Sequence, residues 1–124
     1  MSAHAQGNGR LSTHVLDLAR GEPAAGVALE LRRLYSDGSG EILEVTRTNA
    51  DGRTDEPLRE PGKLERGTYE LVFALGDYLT AQGADRSTLF LDEVPVRFQV
   101  TNPNADHHVP LLFTAFAYQV YRGS

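Results

Sequence analysis

The amino-acid sequence predicts an all-β protein, an antiparallel β-sandwich of seven or so short strands with one short helix. Apolar and polar residues alternate with a period of two in several runs, as they do in strands that bury one face. Turn signals rich in Gly, Pro, Asp and Asn separate these runs at regular spacing, which is typical of sandwiches. Only one short segment has the features of a helix.

The first half of the chain contains three predicted strands, residues 11–19, 27–35 and 41–48. In the first, His14 lies on the face opposite to Val15. Val27, Leu29 and Leu31 form the inward face of the second. The segment SDGSG then predicts a hairpin turn, and Leu43 and Val45 are expected on the apolar face of the third strand.

A polar loop, residues 49–61, follows and carries the turn signal Asp51-Gly52 directly before Arg53. We therefore expect this turn to hold Arg53 rigidly.

The second half of the chain predicts strands at residues 67–75 and 90–101. Between them, Asp77 is expected to cap a short helix that runs to residue 81 or 82 and ends at Gly83. Pro95 lacks an amide donor, which favours either an edge position or the start of a strand.

The last nineteen residues, DHHVPLLFTAFAYQVYRGS, predict a hairpin of two strands, residues 109–113 and 116–121. Alternation places His108 on the face opposite to Leu111 and Phe113. In the second strand, Gln119 and Tyr121 face away from the core. This hairpin therefore has one apolar face and one face that carries imidazole, amide and phenol groups.

Composition limits the function. The chain of 124 residues fits one domain, residues 11–124, after an N-terminal tail of residues 1–10 that is expected to be disordered. The net charge of −5 argues against a nucleic-acid partner, and no apolar run is long enough for a membrane span. No cysteine is present for disulfides, thiolate chemistry or a Cys-based zinc site. The first ten residues lack the apolar segment of a signal peptide, so a cytoplasmic location is expected.

The polar candidates for chemistry are His14, Arg53, His107, His108, Tyr121, Arg122 and Ser124. Each alone is more simply explained as a packed or solvated residue. If the first and the penultimate strand are neighbours, however, two imidazoles and an arginine converge. A neutral histidine can take a proton from water at physiological pH, and arginine suits a planar or anionic substrate.

Five segments and the C-terminal tetrapeptide together closely resemble one known family: LSTHVLDLARGEPAAGV, TRTNADGRTDEPL, GTYELVFALGDYL, VPVRFQV, HHVPLL and YRGS. This family is the 5-hydroxyisourate hydrolases, the transthyretin-related enzymes of purine degradation. The resemblance covers nearly the whole chain from Leu11. The terminal YRGS is its most specific part, because the transthyretin transporters share the fold but lack it.

The resemblance implies a transthyretin-like sandwich of eight strands with a short helix after Leu75. It also implies a homotetramer, a dimer of dimers, in which a channel between the dimers carries the active sites.

The implied reaction is the hydrolysis of 5-hydroxyisourate to 2-oxo-4-hydroxy-4-carboxy-5-ureidoimidazoline without a cofactor. The implied catalytic residues are His14, Arg53 and His108, with Ser124 assigned a positioning role at the C-terminus. His108, oriented with His14, is expected to deprotonate water, while Arg53 holds the substrate. The implied substrate-binding residues are Arg53, Tyr121, Arg122 and Gly123.

Two positions depart from the family pattern. Asp106 stands where many members have a histidine, so we expect no metal site with three histidines and no metal requirement. Gln119 stands where a small serine is usual, and it is expected to narrow the channel.

Two other functions remain open at this stage. The first is a transthyretin-like protein that binds or transports small hormone-type ligands without catalysis. The second is an immunoglobulin-like or fibronectin-like adhesion module, a fold that does not require YRGS at the C-terminus.

Overall fold

The computed structural model describes residues 8–123, which form two four-stranded sheets packed as a sandwich. One sheet has the order β2-β1-β7-β8, and the other has the order β4-β3-β5-β6. The elements in chain order are β1 Leu11–Asp17, β2 Glu22–Pro23, β3 Ala28–Leu34, β4 Gly40–Arg47, β5 Gly67–Ala74, helix α1 Leu75–Ala81, a 3-10 turn Arg86–Thr88, β6 Glu93–Val100, β7 His107–Phe113 and β8 Tyr118–Val120. The predicted all-β sandwich with one short α-helix is confirmed.

The core lies between the sheets and comes from alternate residues of nearly every strand. Along β1, buried residues alternate with half-buried ones. In β5 and β7, the alternate residues predicted to face the core are buried. The largest fully buried side chains are Tyr69, Phe73, Phe113, Leu11, Leu31, Leu58, Leu64, Leu71, Leu75 and Leu111. Leu58 and Leu64 belong to the long segment between β4 and β5. This segment therefore contributes to the core, although its composition predicted only a polar loop.

One pair of strands differs from the prediction of an entirely antiparallel sandwich. β1 and β7 run parallel, in a continuous register from Leu11–His107 to Asp17–Phe113. Every other pair of strands in the two sheets is antiparallel. The first and the penultimate strand are therefore neighbours, which is the condition that the sequence analysis set for bringing the two histidines together.

The prediction that Leu43 and Val45 share an apolar face is wrong. The register of β4 against β3 shifts between Leu31 and Arg32, so one residue of β4 is bulged. Leu43 packs against the core, whereas Val45 pairs with Glu30 and is 67% exposed. A bulge inverts the alternation beyond it, and the residue pattern of β4 alone does not reveal where it occurs.

The helix begins two residues before the predicted cap. Leu75 continues directly from β5, and the N-cap position is Ala74, which makes no side-chain capping bond. Asp77 lies in the first turn and pairs with Arg86 instead of capping. The expected end is confirmed, because Gly83 follows the helix with φ of +107°, a conformation that favours glycine.

Several predicted strands are shorter in the structure. β1 ends at Asp17, β6 begins at Glu93, and β8 covers only Tyr118–Val120. The edge position expected for Pro95 is confirmed, since β6 is the last strand of its sheet.

At the N-terminus, the structure describes the predicted tail only from residue 8. Gly9 is buried and its amide donates to the carbonyl of Pro103 at 2.9 Å. The Arg10 amide donates to a carboxylate oxygen of Asp106 at 3.0 Å. Residues 1–7 lie outside the described residues. Within residues 8–123, no helix is long and apolar enough to cross a membrane.

Candidate active site

The parallel pairing of β1 and β7 brings the two predicted histidines to one face of a sheet. Ser12 is the register partner of His108, and His14 follows two residues later on the same face of β1. All three side chains are half-buried and alternate with buried residues, so they lie on the face away from the core.

The loop after β4 closes onto β1 through a network centred on Asn49. The side-chain oxygen of Asn49 accepts hydrogen bonds from the amides of Asp51 at 2.9 Å and Arg53 at 3.2 Å. The Asn49 amide donates to the carbonyl of Arg53 at 2.7 Å. The loop is joined to the sheet by Val15, whose amide donates to the carbonyl of Gly52 at 2.8 Å. The backbone at Arg53 is therefore fixed on both sides, as the Asp51-Gly52 turn predicted.

Only glycine fits at position 52. Its φ is +76°, and a Cβ there would stand 2.4 Å from the carbonyl oxygen of Val15. The same Cβ would stand 3.3 Å from the Cδ2 of His14. The absence of a side chain lets the loop approach the histidine strand closely.

This approach fixes the tautomer of His14. Its Nε2 lies 2.9 Å from the carbonyl oxygen of Asp51, which can only accept a hydrogen bond. Nε2 therefore carries the proton, and Nδ1 of the neutral ring is left as an acceptor.

The second histidine, His108, is held neutral more strongly than a histidine in water. Its Nδ1 lies 2.8 Å from the hydroxyl oxygen of Ser12. Burial lowers the pKa of His108, and the charge of Arg53 together with a smaller electrostatic contribution from His14 lowers it further. A neutral imidazole beside a fixed cation is suited to accept a proton from water.

An open cleft of about 420 Å³ lies over His108 and Arg53, and His14 is not among the residues that line it. It is lined by Arg10, Ser12, Thr13, Arg53, Thr54, Asp55, Pro57, Asp106 and His108. The lining is mostly polar and contains both arginine and carboxylate groups. Such a cleft can orient a small polar molecule by hydrogen bonds and charge.

The C-terminal candidates are divided between two places. Gly123 forms a bridge with His108, and its amide donates to the His108 carbonyl at 2.7 Å. Tyr121 and Arg122 line a separate cavity of about 330 Å³ between β6 and the β7–β8 hairpin. Ser124 lies outside the described residues, so its predicted role stays a prediction.

His107, the other histidine of the pair, does not enter the cleft over His108. It is 5% exposed, and its Nδ1 lies 2.9 Å from the carbonyl oxygen of Ala105. Among residues 8–123, no three side chains of the metal-binding types His, Asp and Glu converge closely enough to hold a metal ion.

Several residues of the site were not proposed as functional from the sequence. Ser12 bonds to His108, Asn49 organises the loop before Arg53, and Asp106 lines the cleft. Ser12 shares a strand face with His14, and this shared face was the available signal. Asn49 stands two residues before Asp51-Gly52, where a side chain commonly bonds to turn amides.

The chain matches a family model described as the HIUase/Transthyretin family over residues 11–123. The chain belongs to this family. The family resemblance inferred from the sequence motifs is thereby confirmed.

Relatives within the HIUase/Transthyretin family include enzymes and a transthyretin. A 5-hydroxyisourate hydrolase of Deinococcus radiodurans is 48% identical over 118 residues, which cover 95% of this chain and 98% of the relative. The solved structure of Klebsiella pneumoniae 5-hydroxyisourate hydrolase matches with a TM-score of 0.79 and 30% identity, covering 94% of this chain and 99% of that one. The transthyretin of Sparus aurata matches with a TM-score of 0.82 but 26% identity, covering 92% and 96%.

Proposed function

We propose that this protein hydrolyses 5-hydroxyisourate. The observation that carries the proposal is the grouping of His14, Arg53 and His108, with the pKa of His108 lowered first by burial and then by the neighbouring Arg53 and His14. The relative from Deinococcus radiodurans, 48% identical over nearly the whole chain, is named for this activity and supports the substrate assignment.

The proposed substrate suits the cleft. 5-Hydroxyisourate is a small, oxygen-rich ring system, and most of the residues that line the cleft of about 420 Å³ have polar or charged side chains. The planar guanidinium of Arg53 can donate paired hydrogen bonds to adjacent oxygen or nitrogen atoms of such a ring. Its fixed charge stabilises the negative charge that develops on the carbonyl oxygen during attack.

In the proposed reaction, neutral His108 removes a proton from water as the water oxygen attacks a carbonyl carbon of the six-membered ring. A C–O bond forms, the ring amide C–N bond breaks, and the proton is passed to the departing nitrogen. The product is the carboxylate of the opened ring, 2-oxo-4-hydroxy-4-carboxy-5-ureidoimidazoline. His14, whose Nδ1 is free to accept a hydrogen bond, orients the water or the substrate beside His108.

The C-terminal residues complete the proposed site. Gly123 supports the His108 ring from the adjoining strand. We assign substrate binding to Tyr121 and Arg122 as well, although both line the separate cavity; the guanidinium of Arg122 donates at 3.3 Å to the backbone carbonyl of Asp106, a residue that lines the cleft. Ser124 is assigned a positioning role at the end of the same segment.

A binding protein of the transthyretin type is the alternative. Transport of an apolar ligand favours a cavity with inert walls, because binding then depends on apolar burial and a few orienting groups. Here the cleft contains a titratable histidine of lowered pKa beside an arginine, which supports catalysis over storage.

We further propose that the active form is a cytoplasmic homotetramer. Both sheets end at the same side of the sandwich, one with β8 and the other with β6, and an apolar cavity separates these two edges. Phe90 and Phe116 contact each other at a ring distance of 6.4 Å and are 70% and 73% exposed. Pairing with further copies would cover the open edges and the exposed rings, which otherwise favour aggregation.

An ultraviolet assay tests the proposed reaction. Urate oxidase generates 5-hydroxyisourate in the cuvette, and the decay of its absorbance is followed with and without the protein. We expect the wild type to accelerate this decay, and His14→Ala or His108→Ala to lower kcat/KM by about two or more orders of magnitude. Wild-type decay rates in both variants would contradict the mechanism, and no acceleration by the wild type would contradict the function.

A further inference from the structure

We propose that Ser12 is a positioning residue, which sets the tautomer of His108 so that Nε2 is the nitrogen that removes the proton from water. The inference rests on the proposed hydrolytic function of the same cleft. It adds a residue that neither the family motif nor the charge pattern assigns.

The geometry places Ser12 and His108 in a fixed relationship. They are register partners on adjacent parallel strands, and both side chains line the cleft. The next pair in the register is also tied by a side chain, since the hydroxyl of Thr13 donates to the Val109 carbonyl at 2.7 Å. This bond is buried and holds the two strands in register, so the separation of 2.8 Å between the Ser12 oxygen and His108 Nδ1 is a built feature of the sheet.

A serine hydroxyl can either donate to an imidazole nitrogen or accept from its N–H, and the proposed role requires that Ser12 accepts. When Ser12 accepts from Nδ1–H, the unprotonated nitrogen is Nε2, which can then meet water. After Nε2 takes a proton, the ring becomes cationic and the Nδ1–H bond to Ser12 becomes charge-assisted and stronger. Ser12 therefore stabilises the imidazolium, which forms during the reaction, more than the neutral ring.

This stabilisation opposes the other influences on His108. Burial, the charge of Arg53 and the neighbouring His14 lower its pKa, so an unsupported ring would be a weak base. An accepting hydroxyl at Nδ1 restores part of the basicity without adding a charged group. Ser12 acts through His108, as the orienting partner does in hydrolases that activate a nucleophile through histidine.

The test compares Ser12→Ala with Ser12→Thr, which keeps a hydroxyl and suits a strand. Thr68→Ala is the matched control, because it also removes a side-chain hydrogen bond, the one from Thr68 to Gln99. Both of these residues lie on the other sheet and do not line the cleft. The first readout is the pH dependence of kcat and kcat/KM toward 5-hydroxyisourate. The second is the nitrogen-15 NMR spectrum of the histidine rings, with the signals of His108 identified by their loss in His108→Asn.

We expect Ser12→Ala to lower kcat about ten-fold, with KM changed less than about two-fold. The acidic limb of its pH profile should move to lower pH by at least about half a unit, because the imidazolium loses its acceptor. The spectra should show His108 protonated at Nδ1 in the wild type and protonated mainly at Nε2 in Ser12→Ala. Ser12→Thr should restore both properties, and Thr68→Ala should change neither.

An unchanged pH profile and an unchanged tautomer in Ser12→Ala would overturn the inference. A rise in KM alone would also overturn it, because Ser12 would then contact the substrate directly. If the wild type fails to hydrolyse 5-hydroxyisourate, the proposed function falls, and with it the catalytic part of this inference. The nitrogen spectra would still decide whether Ser12 sets the tautomer, so the two failures are distinguishable.

Discussion

Gly123 lies directly against the imidazole ring of His108. A Cβ at position 123 would stand 2.8 Å from the Cδ2 of the ring and 3.3 Å from the His108 Cβ. The peptide backbone thus forms one wall for the proposed base, and the wall exists only because residue 123 has no side chain.

Gly123→Ala is therefore expected to push the His108 ring away from Ser12 and to lower kcat/KM by about ten- to a hundred-fold. The midpoint of urea unfolding should change little, because the position is at the end of the chain's last paired segment. Gly40→Ala is the control: on the other sheet, its new methyl would stand 3.2 Å from the end of the Leu34 side chain and 3.5 Å from the Arg33 carbonyl oxygen, an ordinary contact. Full activity in Gly123→Ala would show that the ring does not need this wall.

The acidic limb of the kcat/KM profile should have its midpoint below pH 6.5, the ordinary value for histidine, because the pKa of His108 is lowered in the folded protein. Arg53→Gln removes the arginine charge that contributes to this shift. It should move the midpoint toward 6.5 while lowering kcat/KM by about a hundred-fold through loss of the substrate contact. A midpoint that stays fixed while activity falls would separate Arg53 from His108.

The lowered pKa of His108 also makes the free energy of unfolding depend on pH. Between pH 6.5 and the lower pKa of folded His108, the unfolded chain binds more protons than the folded one. This contribution to the free energy of unfolding is complete above pH 6.5 and is lost as the pH falls toward the folded pKa. Urea unfolding of wild type and His108→Asn across this range should show the dependence in the wild type and a smaller one in the variant.

Tyr78 on α1 donates a hydrogen bond of 2.8 Å to the buried carboxylate of Asp17 on β1. Tyr78→Phe should lower the free energy of unfolding by about 1–3 kcal/mol, since the carboxylate loses a buried donor. Tyr35→Phe also loses a carboxylate partner, Glu41, but at an exposed site, and should cost less than about 0.5 kcal/mol. Equal losses in the two variants would show that burial of the Asp17 bond has no effect.

The Tyr78 bond also predicts behaviour in alkali. Burial is the larger cause and the hydrogen bond to Asp17 the next one; they raise the pKa of Tyr78 to about 12 from an ordinary value of 10.0. The contribution to stability is complete below pH 10 and is lost as the pH rises through the folded pKa. Unfolding curves between pH 9 and pH 12 should therefore show a steeper decline in wild type than in Tyr78→Phe.

Assembly is testable through the exposed aromatic rings. Phe116→Asp should shift the mass measured by light scattering from a tetramer toward smaller species, because a carboxylate would be buried in the contact. Val45→Asp is the control, since Val45 is similarly exposed but lies on β4, at the opposite edge of the other sheet. A wild type that is a monomer with full activity would contradict the tetramer and its role in catalysis.

Much of the fold could be predicted because the core residues alternate in the sequence. The inward face of Val27, Leu29 and Leu31, and the opposite placement of His108 and Leu111, follow from strand geometry alone. The family motifs then indicated His14, Arg53 and His108 as one group. The grouping also requires that the strands carrying His14 and His108 lie side by side. The parallel pairing of β1 with β7 meets this requirement.

The remainder depends on contacts that alternation does not encode. Val45 was misplaced because a bulge shifts the register of β4, and Leu58 was missed because a buried leucine in a polar loop has no periodic neighbours. The hydrogen bond between Ser12 and His108 joins residues 96 positions apart. Its existence follows from the parallel register of two strands, which no local pattern specifies.

The parallel pairing of β1 with β7 also has a consequence for the order in which the protein gains activity. Contacts between residues so distant in sequence require most of the chain to be arranged first, and such contacts form slowly. A refolding molecule can thus collapse and form the β3–β5–β6 sheet from nearer neighbours while its two site-bearing strands are still apart. Hydrolysis should return as the last observable event of refolding, later than the recovery of β-sheet circular dichroism.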